Sequence, residues 1–337
     1  MDVMARIEKS LVAAVALADR PGCPPRLSAA MQAAVFPKGA RVRPRLCHAV
    51  AAACGDDEPA ATDAAGSAIE LLHCASLVHD DLPCFDNAKL RRGRPSVHAA
   101  FGEPLAVLAG DALIVLAFQT LAKSRCSPLR LAQLIATIGD AVGVPHGIAA
   151  GQAWECEPEI DLSHYHRSKT GALFAAATVS GAAAAGHANP EAWRSLGEKI
   201  GEAYQVADDI RDAASDEEEA GKPVGQDAAL GRPNAVLRYG LTGAVSYLHD
   251  LVADGIRTMP PCAHAHELRL LMEQEAKRLV PRRLAASAAR AFGRVGWPRS
   301  QGAIAAHPPL EGEGRRARAQ RHARRGGVTD HPRVRRW

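Results

Sequence analysis

The stretch "AGSAIELLHCASLVHDDLPCFDNAKLRRGRP", Ala65 to Pro95, is the one whose reading decides the fold. Apolar residues at Ile69, Leu72, Ala75 or Ser76 and again near Leu77 follow a helical period that runs straight into Asp80 and Asp81. Pro83 lacks an amide donor and restricts Leu82 before it, which predicts the end of that helix. Six residues beyond Asp80, an unbroken helix would point Asp86 elsewhere, and the break at Pro83 gives it a way back. Lys89, Arg91, Arg92 and Arg94 follow at once. Such a span is either a solvated loop or half of a site that holds metal ions against a highly charged anion.

The remainder of the chain supports helices. Its 337 residues suffice for one large domain or two ordinary ones, and 47% hydrophobic residues can bury a sizeable core. Aromatics are only 4% and alanine is abundant, a balance that favours helix over strand. "EPLAVLAGDALIVLAFQTLA" (Glu103 to Ala122) reads as a strong apolar helix with Asp111 inside it. "LRLAQLIATIGDAVGVPHGIAAGQAWE" reads as another helix or a broken pair, and Ser195 to Glu219 as a long helix with an acidic end. No period-two alternation recurs and no Asn-Gly or Asp-Gly hairpin signal appears, so the expected class is all-α. The eight cysteines are scattered with no C-x-x-C pair, as expected of small buried residues in a reducing compartment. The N-terminus lacks signal-peptide grammar. Gly171 to Ala188 is mostly Ala and Gly, which fits a close-packed core helix rather than a membrane span. A cytoplasmic protein with no integral membrane segment is expected.

The net charge of +4 divides unevenly. From Phe292 onward there are eleven arginines against three acids, with no apolar periodicity. We therefore expect one domain over residues 1–291 and a basic low-complexity tail over 292–337. From Gly312 onward that tail has no aromatic interleaving apart from Trp337, and it has no nucleic-acid module, so no nucleic-acid partner is expected.

"HDDLPCFD" has an echo in "ADDIRD". Asp208 and Asp212 lie four apart on one helix face, where like charges repel, and Asp209 lies beside them. A hard cation such as Mg²⁺ reverses that penalty. Alone, each cluster is compatible with a solvated acidic surface. Together they are more telling, because each follows an apolar helix and precedes basic residues: Arg91 and Arg92 after the first, Lys222 of "GKPVGQD" after the second. Carboxylates beside Arg and Lys suit a diphosphate bridged by Mg²⁺. "HRSKTGA" adds Arg167, Lys169 and Thr170, and "FPKGARVRPRL" adds Lys38, Arg41 and Arg43. Either can also be an exposed basic segment. His73, seven residues before Asp80, falls near the same helical face, where a histidine can equally be a satisfied core residue.

With these motifs assembled, the sequence resembles the trans-isoprenyl diphosphate synthases, and within them the bacterial carotenoid-type geranylgeranyl diphosphate synthases. The resemblance runs in order from about Arg6 to Arg290 through "FPKGARVRP", "IELLHCASLVHDDLPCFDNAKLRRGRPSVH", "GIAAGQAWE", "YHRSKTGALF", "GEAYQVADDIRD" and "GKPVGQDAALGRPNAV". It implies the isoprenoid synthase fold, helices around a deep cavity, usually as a homodimer. It implies three Mg²⁺ ions held by Asp80, Asp81 and Asp86 on one side and Asp208, Asp209 and Asp212 on the other. Arg91, Lys169 and Lys222 would bind the allylic diphosphate, while Arg41, Arg92 and His73 would bind isopentenyl diphosphate. Thr170 and Gln205 would stabilise the allylic cation. The catalytic set is then Asp80, Asp81, Lys169, Thr170, Gln205 and Asp208. Ala75 and Ser76 leave room below the first aspartates, which implies a C20 product, geranylgeranyl diphosphate, that can enter carotenoid, bacteriochlorophyll or diterpenoid synthesis.

The chain departs from the family pattern at Ala40, where a lysine is usual, at Gln226, and at Asn87 and Ala88. Farnesyl diphosphate synthesis and a non-catalytic regulatory subunit are the alternatives. Such subunits tend to lose one aspartate motif, and this chain keeps both. A class I cyclase would carry an Asn/Ser/Glu motif second, and a membrane prenyltransferase would need several apolar spans.

Overall fold

The computed structural model describes residues 2–36, 39–159, 162–214 and 234–279. Lys38, Lys222, Gln226 and the tail from 292 lie outside them. Helices dominate: α1 (Val3–Ala16), α2 (Pro25–Val35), α3 (Val42–Cys54), α4 (Pro59–Asp80), α5 (Val97–Phe101), α6 (Glu103–Ala122), α7 (Pro128–Val142), α8 (Ile148–Ala153), α9 (Leu162–His166), α10 (Ala172–Ala184), α11 (Arg194–Ala214), α12 (Ala235–Arg257) and α13 (Ala265–Leu279). The all-α expectation holds. One departure is a minimal antiparallel hairpin, β1 (Leu90–Arg91) and β2 (Arg94–Pro95), with Gly93 at φ 72° and Arg92 at φ 53° in its turn. The stretch between Pro128 and Glu155 is a broken pair, α7 and α8, separated at Gly143–Gly147 around Pro145.

The centre of the fold is α10. Its residues from Leu173 to Ala184 are all buried, because α3, α4, α7 and α11 pack around it. A helix apolar on every side is stable only in such a position. Its small side chains let neighbouring backbones come close. A Cβ on Gly181 would stand 2.3 Å from the Cys47 carbonyl oxygen, so glycine is required there. Among the described residues the main apolar core runs from Ile7 on α1 to Met272 on α13, with a small second cluster of Ala141, Leu173 and Ala176.

Around this core, α4 and α11 bring the two aspartate clusters to one end. Pro83 acts as expected. Helix α4 stops at Asp80, and the chain turns back through bonds from Leu82 N to His79 O (3.1 Å) and from Asp86 N to Asp80 O (3.0 Å). Asp86 is thereby returned to Asp80. Asn87, at φ 48°, completes the turn in a backbone region that Asn tolerates better than most residues.

Arg41 belongs to the frame. It is 2% exposed, and its three guanidinium nitrogens donate to Glu8 (2.8 Å), Glu70 (2.8 Å) and the Val35 carbonyl (2.8 Å). Burial works against its charge, but Glu8 and Glu70 outweigh it and hold the guanidinium above its ordinary range. Arg41→Ala leaves Glu70 buried without its cation. We expect a loss of about 3–5 kcal/mol of stability, read in denaturant unfolding, with the substrate KM values of the folded fraction little changed.

Candidate active site

A cavity of about 1080 Å³ opens at the end of the fold between α4, α6, α8 and α11. Its wall contains Asp80 and Asp86 from the first cluster and Asp208 and Asp212 from the second. His73, Arg91, Lys169, Thr170 and Gln205 also face it, together with Ala75 and Ser76. The sequence-predicted residues are therefore largely brought together.

Lys169 and Thr170 reach the cavity on a local distortion. Arg167–Gly171 form one π-helical turn between α9 and α10, and such wide turns recur at functional sites. Opposite it, Gly151 of α8 has no room for a side chain, since a Cβ would lie 2.4 Å from the Lys169 amide nitrogen. Lys169 Nζ donates to Asp80 (3.3 Å) and to Glu155, and sits 5.6 Å from the centre of the Tyr165 ring. Burial opposes its charge, yet Asp80, Tyr165 and Glu155 hold the ammonium above the ordinary lysine range. Thr170 Oγ1 donates to Gln205 Oε1 (3.0 Å), and Gln205 Nε2 donates to Asp209 Oδ1 (3.2 Å). This chain fixes the amide orientation of Gln205 at the cavity wall.

Glu155 was missed by the sequence reading, although "GQAWE" was noted. Oxygens of Asp80, Asp86 and Glu155 lie within 4.8 Å of one another. Gln152 Nε2 (2.9 Å) and Tyr165 Oη (2.6 Å) both donate to Glu155 and hold it there. Three carboxylate oxygens gathered this closely are the donor set that a hard divalent cation requires. Across the cavity, Asp208 and Asp212 present a second carboxylate pair, Asp208 being paired with Arg211.

Two predicted metal ligands sit differently. Asp81 is 3% exposed and does not face the cavity, and Arg91 grips it through Nε (3.0 Å) and Nη2. Burial lifts the Asp81 pKa, with Arg91 opposing. Asp209 is 4% exposed, and its Oδ2 accepts the Ala235 amide (2.7 Å) at the start of α12. Its carboxylate satisfies an otherwise unpaired helix-start amide. The pattern D-D-x-x-D alone does not distinguish the two aspartates, because the position of α12 decides which one turns outward.

The second cationic group is also rearranged. Arg41 does not face the cavity, but Arg43, two residues on, does. Its guanidinium stacks over Phe174 (4.4 Å to the ring centre), its Nε has no hydrogen-bond partner, and burial pulls its pKa down. A half-buried cation at a cavity wall, with an unsatisfied donor, is suited to an anion. Arg92 is exposed but adjoins this corner, since a Cβ on Gly39 would meet its Nη1 at 2.6 Å. Burial first, then Arg43, Arg92, Arg91 and Arg41, hold His73 well below the usual imidazole range. His73 is therefore neutral at pH 7, offering one donor and one acceptor. The signal that could have separated Arg43 from Arg41 is helix phase: Arg41 precedes the first turn of α3, whereas Arg43 lies inside it.

Residues 24–257 match the polyprenyl synthetase family model. The chain belongs to the polyprenyl synthetase family. It is 52% identical over 282 residues to the geranylgeranyl diphosphate synthase of Cereibacter sphaeroides, covering 83% of this chain and 98% of that protein. It is 50% identical over 281 residues to the Rhodobacter capsulatus enzyme of the same name, covering 83% and 97%. Among solved structures it resembles the Helicobacter pylori geranyltransferase complexed with magnesium and isoprenyl diphosphate, with TM-score 0.69, 29% identity, and coverage of 82% of this chain and 98% of that one. The Thermotoga maritima geranyltranstransferase gives TM-score 0.64 at 25% identity, covering 83% and 99%. This membership agrees with the resemblance read from the aspartate motifs. The helical fold is that of these geranyltransferase structures.

Proposed function

We propose that this polyprenyl synthetase condenses isopentenyl diphosphate head to tail with allylic diphosphates and releases geranylgeranyl diphosphate. The carrying observation is that Asp80 and Asp86 line the same cavity as Asp208 and Asp212, with Glu155 grouped beside Asp80 and Asp86 and with Lys169 and Arg91 also on the cavity wall. The curated relatives of about half-identical sequence carry that product in their names.

The two carboxylate groups suit Mg²⁺, three ions in our reading, with Asp80, Asp86 and Glu155 on one side and Asp208 and Asp212 on the other. When bound, these ions neutralise the diphosphate and weaken its C–O bond. The allylic diphosphate lies against Lys169 and Arg91, with Lys222 assigned to it from the sequence alone. Both cations now rest on carboxylates, Lys169 on Asp80 and Arg91 on Asp81. Each can turn to phosphate oxygen when a diphosphate enters. The C–O bond breaks and the diphosphate leaves with the electron pair, giving an allylic cation. Thr170 Oγ1 and Gln205 Oε1, oriented by their mutual hydrogen bond, direct oxygen lone pairs at that charge. The double bond of isopentenyl diphosphate attacks C1 of the allyl group, and the new tertiary cation gives a proton to the released diphosphate. Isopentenyl diphosphate is held at Arg43, Arg92 and neutral His73, with Arg41 reassigned to the frame. Asp81 positions Arg91, and Asp209 positions Gln205 and α12.

Two copies are proposed to pair through α6, where Val107, Leu108 and Val115 stand exposed. Residues 1–291 are proposed as the working unit in the cytoplasm, with no role for the tail. One described helix, Glu103–Ala122, is long and apolar enough to cross a membrane, and the pairing reading covers it with protein instead.

The test is incubation of purified protein with isopentenyl diphosphate, Mg²⁺ and dimethylallyl, geranyl or farnesyl diphosphate, followed by chain-length analysis of the alcohols. A C20 alcohol is expected. A C15 alcohol would keep the enzyme and overturn the product, and no product with diphosphate binding intact would favour a regulatory subunit. Arg43→Ala is expected to raise the isopentenyl diphosphate KM by about tenfold or more, as for one lost charge-assisted bond of roughly 1.5–3 kcal/mol. The KM of the allylic substrate should move far less.

A further inference from the structure

We infer that Lys89 takes hold of the allylic diphosphate at the cavity rim, ahead of Arg91 and Lys169, and so sets the KM of the allylic substrate. The inference rests on the prenyl synthetase reading above.

Among the described residues, four lysines and arginines line the cavity: Arg43, Lys89, Arg91 and Lys169. Three of them have partners. Arg43 stacks on Phe174, Arg91 grips Asp81, and Lys169 rests on Asp80 and Glu155. Lys89 is exposed, and among the described residues its ammonium meets no carboxylate and no aromatic ring. The backbone that carries it is nevertheless fixed. Its carbonyl accepts the Ser96 amide (2.9 Å), and the next residue opens the β1–β2 hairpin, where Leu90 pairs with Pro95 and Arg91 with Arg94. Three residues earlier, the Asp86 amide is tied back to the Asp80 carbonyl. An unpaired ammonium on a flexible stem is thus anchored in the segment that joins the first carboxylate group to Arg91.

Asp80, Asp86, Asp111, Asp208 and Asp212 make the rest of the wall acidic. An approaching diphosphate is repelled by these groups, and Arg91 and Lys169 draw it weakly from a distance because carboxylates already balance them. Lys89 is not balanced in this way. A free charge at the rim of a cleft raises the local concentration of its counter-ion. An ammonium on a four-carbon stem also needs no preset angle, so its three donors can follow a phosphate oxygen inward. Arg91 and Lys169 then exchange their carboxylates for the same anion. The contact at Lys89 forms before the C–O bond breaks and gains nothing in the transition state. It is uniform binding, which lowers KM and leaves kcat in place. Chain position assigns it to the allylic substrate: Lys89 follows directly on the turn that holds Asp80 and Asp86, whereas isopentenyl diphosphate is placed at Arg43, Arg92 and His73.

The experiment is steady-state kinetics of the full chain with Mg²⁺, varying geranyl diphosphate and isopentenyl diphosphate in turn, for wild type, Lys89→Arg, Lys89→Ala and Lys89→Glu. The allylic KM is expected to rise about threefold to tenfold in Lys89→Ala and about tenfold or more in Lys89→Glu, the lower range over which a steering charge acts. The kcat should stay within about twofold of wild type, and Lys89→Arg should restore the KM. Between about 0.1 M and about 1 M KCl the gap between wild type and Lys89→Glu should shrink severalfold, because the screening length falls from about 10 Å to about 3 Å. The unfolding midpoint should not move, since the side chain has no partner to lose. If wild type makes prenyl product and Lys89→Glu has the same allylic KM, this inference falls and the activity reading stands. A larger shift in the isopentenyl diphosphate KM, or an effect that high salt leaves undiminished, overturns it as well. If wild type makes no prenyl product, the activity reading falls and the inference with it.

Discussion

Asp80→Ala is expected to lower kcat/KM for the allylic substrate by about a hundredfold to a thousandfold, the range seen when one preorganised charge-stabilising group is lost. Asp80 is the hub of its corner: it shares the divalent-cation donor set with Asp86 and Glu155 and also holds Lys169 at 3.3 Å. Removing it empties one ligand position and leaves the ammonium held by Glu155 without Asp80, so transition-state charge loses support from both sides. The substitution is at a half-buried helix end, so circular dichroism and the unfolding midpoint should change little. Raised Mg²⁺ should recover part of the activity, which a purely structural defect would not allow. Asp208→Ala should behave alike. Asp209→Ala should not, because that carboxylate accepts the Ala235 amide. Its loss is expected to cost about 0.5–2 kcal/mol of stability, as for other lost helix-start acceptors, and to lower kcat through a misaligned Gln205 without changing the Mg²⁺ dependence. A shared Mg²⁺ phenotype for all three aspartates would overturn this division of roles.

Ala75→Phe is expected to convert the C20 product largely to C15. Ala75 is 1% exposed to solvent and faces the cavity one turn and a half below Asp80, and Leu72, Ile114 and Val142 line the same cavity. A phenyl ring there takes the space that the last isoprene unit needs. The effect belongs to the ratio of two products rather than to total rate, so turnover of dimethylallyl diphosphate should fall only modestly. Ser76 is a poorer choice for the same purpose, since its hydroxyl donates to the His73 carbonyl (2.8 Å) and its replacement would disturb the isopentenyl diphosphate corner as well. Unchanged C20 output from a folded Ala75→Phe enzyme would show that the chain grows along another wall.

Much of this was legible before any coordinates. The helix running into Asp80, the stop at Pro83, the return of Asp86 and the paired face of Asp208 and Asp212 all follow from local rules of helix phase and proline. The tight approach around α10 was foreshadowed by its Ala and Gly content. Other features were not readable from local pattern. Glu155 is one of several acids in "WECEPEID", 69 residues from Asp86, and only the packing of α8 against the π turn brings it to the cluster. Arg41 and Arg43 look equivalent in a basic segment. One of them meets two glutamates from α1 and α4, and the other meets an aromatic ring and open space.

By itself, then, the sequence determined that this is a helical polyprenyl synthetase with two carboxylate clusters, since those depend on periodicity and residue chemistry within a few turns of chain. Tertiary structure alone decided which carboxylates and which arginine face the cavity. Burial leaves each charged group to the nearest complementary partner, and that partner comes from a distant helix.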